Sequence, residues 1–210
     1  MDKKKLLDAR SISITLNRLA QQLIENHGDF QNTVLIGLQT RGIYVLEKLV
    51  AILNANGVNK LASGTLDITF FRDDFRRRDS PLEPSMTKID VLLEGKKVVF
   101  IDDVLYTGRS VRSAMDAVQS FGRPSEIELL VLIDRRFSRE LPIQPDYVGE
   151  QVDSLAGDRV SVEWQDINAS EDAVYLEKGI HEWIKCKSPI RHKIPTELRY
   201  SAHLRYGKAI

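Results

Sequence analysis

Cys186 is the only cysteine among 210 residues, so no disulfide can close within the chain, and a reducing compartment is the simpler expectation. Net charge is also absent. Thirty basic residues balance thirty acidic ones, which excludes nucleic-acid binding through overall charge while leaving room for a local basic patch. No apolar run approaches the ~20 residues that cross a bilayer, and Met1 to Arg10 contain no apolar signal core. A cytoplasmic chain without a membrane partner is expected. Internal repeats and low-complexity tracts are missing, and no side chain stands out as a covalent nucleophile. His181, His192 and His203 hold three of the four histidines at eleven-residue spacing. They have no acid or cysteine companions that suggest a metal site, so they read as exposed polar residues.

What is present is ample apolar content, 42% of the chain, enough for one core of ordinary domain size. Leu16, Leu19, Ala20, Leu23 and Ile24 recur at helical spacing and predict a first helix over 11–27 that ends near Gly28. Thr33 to Leu38 reads as a buried strand. After Gln39-Thr40-Arg41-Gly42 comes a helix built on Ile43, Leu46, Leu49, Val50 and Leu53, stopping at Gly57. Leu66, Ile68 and Phe70 alternate with Asp67 and Thr69 as in a strand, and Ile89 to Leu93 suggests a short second one. Further on, 98–101, a helix over about 109–121, and 126–133 follow in turn, and strands alternating with helices imply an α/β fold with a mainly parallel sheet. Short strands near Tyr147-Val148, Val160 to Trp164 and Ala173 to Leu176 follow without helices between them. Residues 177–210 carry a net charge of +5 against −5 for 1–176, so the chain divides into a domain over 1–176 and a basic C-terminal extension.

The most informative stretch is Val98-Val99-Phe100-Ile101-Asp102-Asp103-Val104-Leu105-Tyr106-Thr107-Gly108-Arg109-Ser110. Its apolar start suits a strand buried on both faces. Thr107 to Ser110 then open a helix whose unpaired N–H groups can cradle a phosphate. Asp102 and Asp103 sit at the strand's carboxyl end, which borders the ligand crevice in open parallel sheets. There they can take ribose hydroxyls or the waters of a bound Mg²⁺, while the turn holds a 5′-phosphate. Read alone, the acid pair or the Thr-Gly would be an ordinary helix cap with Thr107 as N-cap; the combination outweighs that reading.

Gln39-Thr40-Arg41-Gly42 repeats the arrangement of buried strand, turn and helix start, with Arg41 adding a planar cation suited to pyrophosphate oxygens. Two such turns on neighbouring strands are what a ribose with phosphate groups at both ends requires. The loop from Arg72 to Lys88, with Arg76, Arg77, Arg78, Pro81 and Pro84, is long enough to act as a flexible lid. Closure would shield a ribosyl cation from water.

The string from Asp102 to Ser110 resembles the phosphoribosyl-pyrophosphate (PRPP) motif of type I phosphoribosyltransferases. Together with Thr40-Arg41-Gly42-Ile43-Tyr44, Asp67-Ile68-Thr69, Arg72-Asp73-Asp74 and Arg139-Glu140-Leu141-Pro142-Ile143, it resembles the PyrR family of pyrimidine-operon regulators and uracil phosphoribosyltransferases. The likeness spans about residues 6–176. It implies the type I phosphoribosyltransferase fold with a small accessory region beside the sheet, Mg²⁺ as cofactor, PRPP and uracil as substrates, UMP and pyrophosphate as products, and a homodimer or larger assembly. It implies Asp102 and Asp103 as catalytic residues that reach the metal through water and PRPP. Substrate contacts are implied for Thr40, Arg41, Gly42, Lys88, Val104, Leu105, Tyr106, Thr107, Gly108, Arg109, Ser110, Arg135 and Val160.

A second reading stays open: a regulator in which UMP or UTP occupies the PRPP site and tunes affinity for a pyr mRNA leader. A third is transfer to another base. RNA-binding PyrR proteins are similar but carry a Thr and a His one helical turn apart where this chain has Asn17 and Gln21, and basic residues where it has Gln144 and Glu150. Arg136 and Arg139, or the basic extension, are the replacements the sequence offers.

Overall fold

The computed structural model describes residues 3–71, 86–155, 157–165, 167 and 169–179. Five parallel strands form the central sheet in the order β3-β2-β4-β5-β6: β2 (Thr33–Leu38), β3 (Ala62–Leu66), β4 (Lys97–Leu105), β5 (Glu126–Arg136) and β6 (Tyr147–Asp153). All six residues of β2 are buried, as the unbroken apolar runs require of strands covered on both faces.

Two helices, α1 (Ala9–His27) and α2 (Gly42–Ala55), cover one face through Leu16, Leu19, Leu23, Val45 and Leu49, packed with Val99, Ile101, Leu130 and Leu132. α3 (Arg109–Val118) covers the other through Val111, Ala114 and Ala117 against Val98, Phe100 and Val131. Alternating strand residues therefore feed two separate cores. The boundaries of α1 follow from its caps. Asp8 accepts a hydrogen bond from the Ser11 N–H at 2.8 Å, and Gly28 leaves the helix at φ 58°.

A second, antiparallel sheet is the small accessory region, ordered β1 (Lys3–Leu7), β8 (Ala173–Glu177) and β7 (Arg159–Glu163). Its Val160, Val162, Val174 and Leu176 join the α1/α2 core. The strand β1 gives no signal in the sequence: its outward-facing Lys3 and Lys5 pair with acids, Lys3 with Glu163 at 2.6 Å and Lys5 with Glu171.

Two expectations and one alternative reading are corrected. The alternation over Leu66 to Phe70 is not one strand: β3 ends at Leu66, because the Asp67 carboxylate accepts from the Thr69 N–H at 2.8 Å and its hydroxyl at 2.5 Å, bending the chain into a 3-10 turn over Thr69–Phe71. Ile89 to Leu93 is no strand either; Lys88 alone forms a bridge, with Thr65, while Leu93 is a buried anchor. Thr107 is not the N-cap of α3. Gly108 takes that place at φ 91°. The expected lid over 72–88 lies outside the described residues up to 85, as does the basic extension from residue 180.

Candidate active site

The sheet order places a reversal of winding between β2 and β4. Strands added after β2 run outward to β3, whereas those after β4 run the other way, to β5 and β6. At the carboxyl ends of such a strand pair the loops part and leave a crevice. Gln39 to Gly42 forms one lip and Asp102 to Ser110 the other.

On the first lip, Thr40 and Arg41 are exposed, and the Gln39–Thr40 peptide is cis. Arg41 caps α2. Gly42 is needed for packing: a Cβ there would overlap the Ile101 carbonyl and approach the Asp102 Cα to 3.1 Å. Only glycine lets α2 start this close to β4. Thr40, Arg41 and Tyr44 face Val162, Glu163, Trp164, Ile167 and Ala169 across a depression of about 460 Å³. The small sheet thus walls the first lip. The last five of those residues were missed by sequence reasoning, because nothing local announces that β7 and the loop after it fold back over α2.

On the second lip, β4 does not stop at its acids but continues through them to Leu105. Asp102 is half-buried and accepts from the Asp103 N–H at 2.9 Å; Asp103 is 6% exposed and accepts from the Val104 N–H at 2.8 Å. Burial raises the Asp103 carboxyl above the ordinary carboxylate range, opposed by the Arg41 guanidinium and by hydrogen bonds with Asp102 and the backbone. The Arg41 guanidinium on the first lip thus acts on the charge of Asp103 on the second. Leu105 is buried and its neighbour Val104 half-buried, so both serve the strand. Thr107, Gly108, Arg109 and Ser110 make the turn into α3, with the Arg109 N–H 3.4 Å from the Thr107 hydroxyl.

Tyr106 is 41% exposed, and the Arg135 guanidinium lies 3.9 Å from its ring centroid. Arg135 itself is 5% exposed and donates to the Ser154 hydroxyl and the Asp158 carbonyl, both at 2.9 Å. Its buried charge is held from behind the ring. Asp134, one residue earlier, is a buried acid paired with Arg139, so Arg139 is drawn into this lip. Arg136 is exposed and bridges to Asp153 at 2.5 Å.

Two expected contacts are not brought to the crevice. Lys88 lies at the β3 edge, lining a separate depression with Leu46, Val50 and Asp90, and Val160 is a buried core residue of β7. A Phosphoribosyl transferase domain family model matches residues 2–166. Over 178 residues the chain is 44% identical to the Bifunctional protein PyrR of Listeria monocytogenes, spanning 83% of this chain and 96% of that protein. The chain belongs to the PyrR family of phosphoribosyltransferases.

The Enterococcus faecalis member of the PyrR family is 40% identical over 179 residues, covering 85% of this chain and 99% of that one. Among solved structures, the hypoxanthine phosphoribosyltransferase of Trypanosoma cruzi superposes with a TM-score of 0.63 at 15% identity, over 84% of this chain and 97% of that one. Leishmania tarentolae HGPRT-ase gives 0.63 at 13%, over 83% and 96%. These likenesses carry the fold alone. Among the described residues no helix is long and apolar enough to cross a membrane.

Proposed function

We propose that the protein transfers the 5-phosphoribosyl group of PRPP to uracil: the bond from ribose C1 to pyrophosphate breaks, a bond to the uracil nitrogen forms, and that nitrogen loses its proton. The observation that carries this is the pair of helix-opening turns at the winding reversal, one bearing Arg41 and the other following Asp102 and Asp103. A ribose bridging two anionic groups would lie between these turns. The Thr107 to Ser110 turn takes the 5′-phosphate, Thr40 and Arg41 take the pyrophosphate, and the two aspartates meet the ribose hydroxyls where positive charge develops. The likeness to PyrR proteins at 40–44% identity, far above that to the hypoxanthine enzymes, supports uracil as the base.

Among the described residues no three acidic, imidazole or thiol groups converge. Two carboxylates at a phosphate site nonetheless suit Mg²⁺, which completes its shell with water and substrate oxygens. When bound, the metal would neutralise charge on the leaving pyrophosphate. Asp102, the more exposed acid, would hold one of its waters.

The test pairs base competition with a cut at the first lip. Turnover is expected with uracil and not with hypoxanthine or orotate. Arg41→Ala should weaken PRPP about tenfold or more, the loss expected of a charge-assisted contact, while UMP, which has no pyrophosphate, changes little. Equal losses for both ligands would reduce Arg41 to a folding role. A nucleotide-sensing RNA regulator stays as a second reading, favoured by the bifunctional naming of the PyrR relatives.

A further inference from the structure

We propose that residues 139–143 are a strap that fixes the shape of the phosphate turn, with Arg139 as its positioning residue; this rests on the assignment of that turn to the 5′-phosphate. Arg139 reaches two strand ends at once. Its Nη1 donates to the Tyr106 carbonyl at 2.5 Å, and its Nη2 pairs with the buried Asp134 carboxylate. Leu105 and Asp134 are register partners across β4 and β5, so one guanidinium ties the ends of both strands. The next residues grip the turn itself. The N–H groups of Glu140 and Leu141 both donate to the Thr107 carbonyl at 3.1 Å, and the Glu140 carboxylate holds Arg109 Nε at 2.7 Å. Ile143 and Leu141 lie 3.2 Å and 3.5 Å from where a Gly108 Cβ would stand.

The consequence follows from peptide geometry. In a trans peptide the C=O and the following N–H point in opposite directions. The strap draws the carbonyls of Tyr106 and Thr107 to itself, and it thereby turns the N–H groups of Thr107 and Gly108 to the other side. An anion on that side meets donors, with the repelling carbonyl oxygens held away. A turn with glycine at φ 91° and no side-chain cap has little internal reason to keep both peptide planes in that orientation. The strap supplies one from outside.

Calorimetric titration in Mg²⁺ buffer with two probes, ribose 5-phosphate and inorganic pyrophosphate, separates this role from general stabilisation. In Arg139→Gln, ribose 5-phosphate should bind about tenfold more weakly while pyrophosphate stays within about twofold, since only the second lip loses its support. Arg139→Lys should recover part of the loss, because one ammonium can keep Asp134 paired but lacks the second prong of the fork. Glu140→Gln, an exposed change that leaves the fold intact, should cost ribose 5-phosphate about two- to threefold, as expected of a solvent-exposed ion pair. Unchanged ribose 5-phosphate affinity in both Arg139→Gln and Glu140→Gln overturns the proposal, as does a parallel loss of both probes. Should Arg139→Gln not fold, Glu140→Gln decides alone. A wild-type protein that binds pyrophosphate but not ribose 5-phosphate would instead remove the phosphate-turn assignment, and the strap with it.

Discussion

Asp102 and Asp103 are adjacent in sequence and alike in chemistry, yet β4 carries them to opposite faces. One stays half-exposed and the other is buried, with the Arg41 guanidinium favouring its charge. The acid pair was legible as a pair near a strand's carboxyl end because it follows an apolar run. The difference between its members was not, since it depends on a guanidinium from another lip. For Asp103 the difference has a sign. Its folded pKa is raised above 3.8, chiefly by burial, so the native state holds the proton more tightly than the unfolded chain. Stability is therefore lost as pH rises from 3.8 through the raised value. Asp103→Asn removes that cost. It should melt higher than wild type at about pH 7, and the gap should shrink as pH falls toward 3.8. Turnover should fall by about a hundredfold in the same variant, the usual loss of one electrostatic contact to the transition state. Thermal melts at several pH values beside steady-state rates check both halves, and a variant that melts lower at neutral pH would contradict the first.

At the scale of elements, boundaries were legible where a local cap or an unbroken apolar run sets them, as for α1, β2 and α2. They were misread where a side chain bends the chain, as Asp67 does after β3, or where pairing comes from far away, as for β1 with β8. One tertiary joint invisible in the sequence lies at the amino ends of the parallel strands, opposite the crevice. The Tyr147 hydroxyl at the start of β6 donates to Glu128 at 2.7 Å, accepts from Asn26 at 3.0 Å, and lies 3.2 Å from the buried ring of His27. Thr33 meets the other nitrogen of that ring at 3.1 Å. Burial and the Glu128 carboxylate push the Tyr147 phenol upward, so it remains a donor at any physiological pH. The end of α1 is thereby locked to β2, β5 and β6. Tyr147→Phe keeps the ring but strips a shared partner from three polar groups, and should cost about 1–3 kcal/mol of stability. KM and kcat should stay at wild-type values, because the joint and the acids occupy opposite ends of the sheet. Urea melts and kinetics at one temperature test this, and a kinetic change without a stability change would count against it.

For the whole molecule, fold and crevice were readable because a parallel sheet with one winding reversal allows a single ligand edge, and both lips carry local signals. Charge across the surface follows no such rule. The described surface offers RNA little free cation near α1 and β6. Asn17 donates to its own helix at Ser13, Gln21 donates to Asn56 on α2, and Arg18 is spent on the Val148 and Gly149 carbonyls. Gln144 is exposed and uncharged, and Glu150 presents an exposed carboxylate on β6. Phosphate neutralisation dominates RNA affinity at physiological salt, so these residues should leave leader-RNA binding by this chain weak and only shallowly dependent on salt. Gln144→Arg with Glu150→Lys adds two positive charges and removes a negative one, a net change of +3, while changing no buried group. Affinity for a pyr leader should then rise, and the slope of log K against log salt should steepen by about 0.7 for each phosphate newly contacted. Filter binding at three salt concentrations measures both quantities for the natural and the substituted full chain. Tight, steeply salt-dependent binding by the natural chain would place the RNA contact on cations elsewhere in the sequence. An unchanged slope in the substituted chain would mean that the surface carrying these two residues does not meet RNA at all.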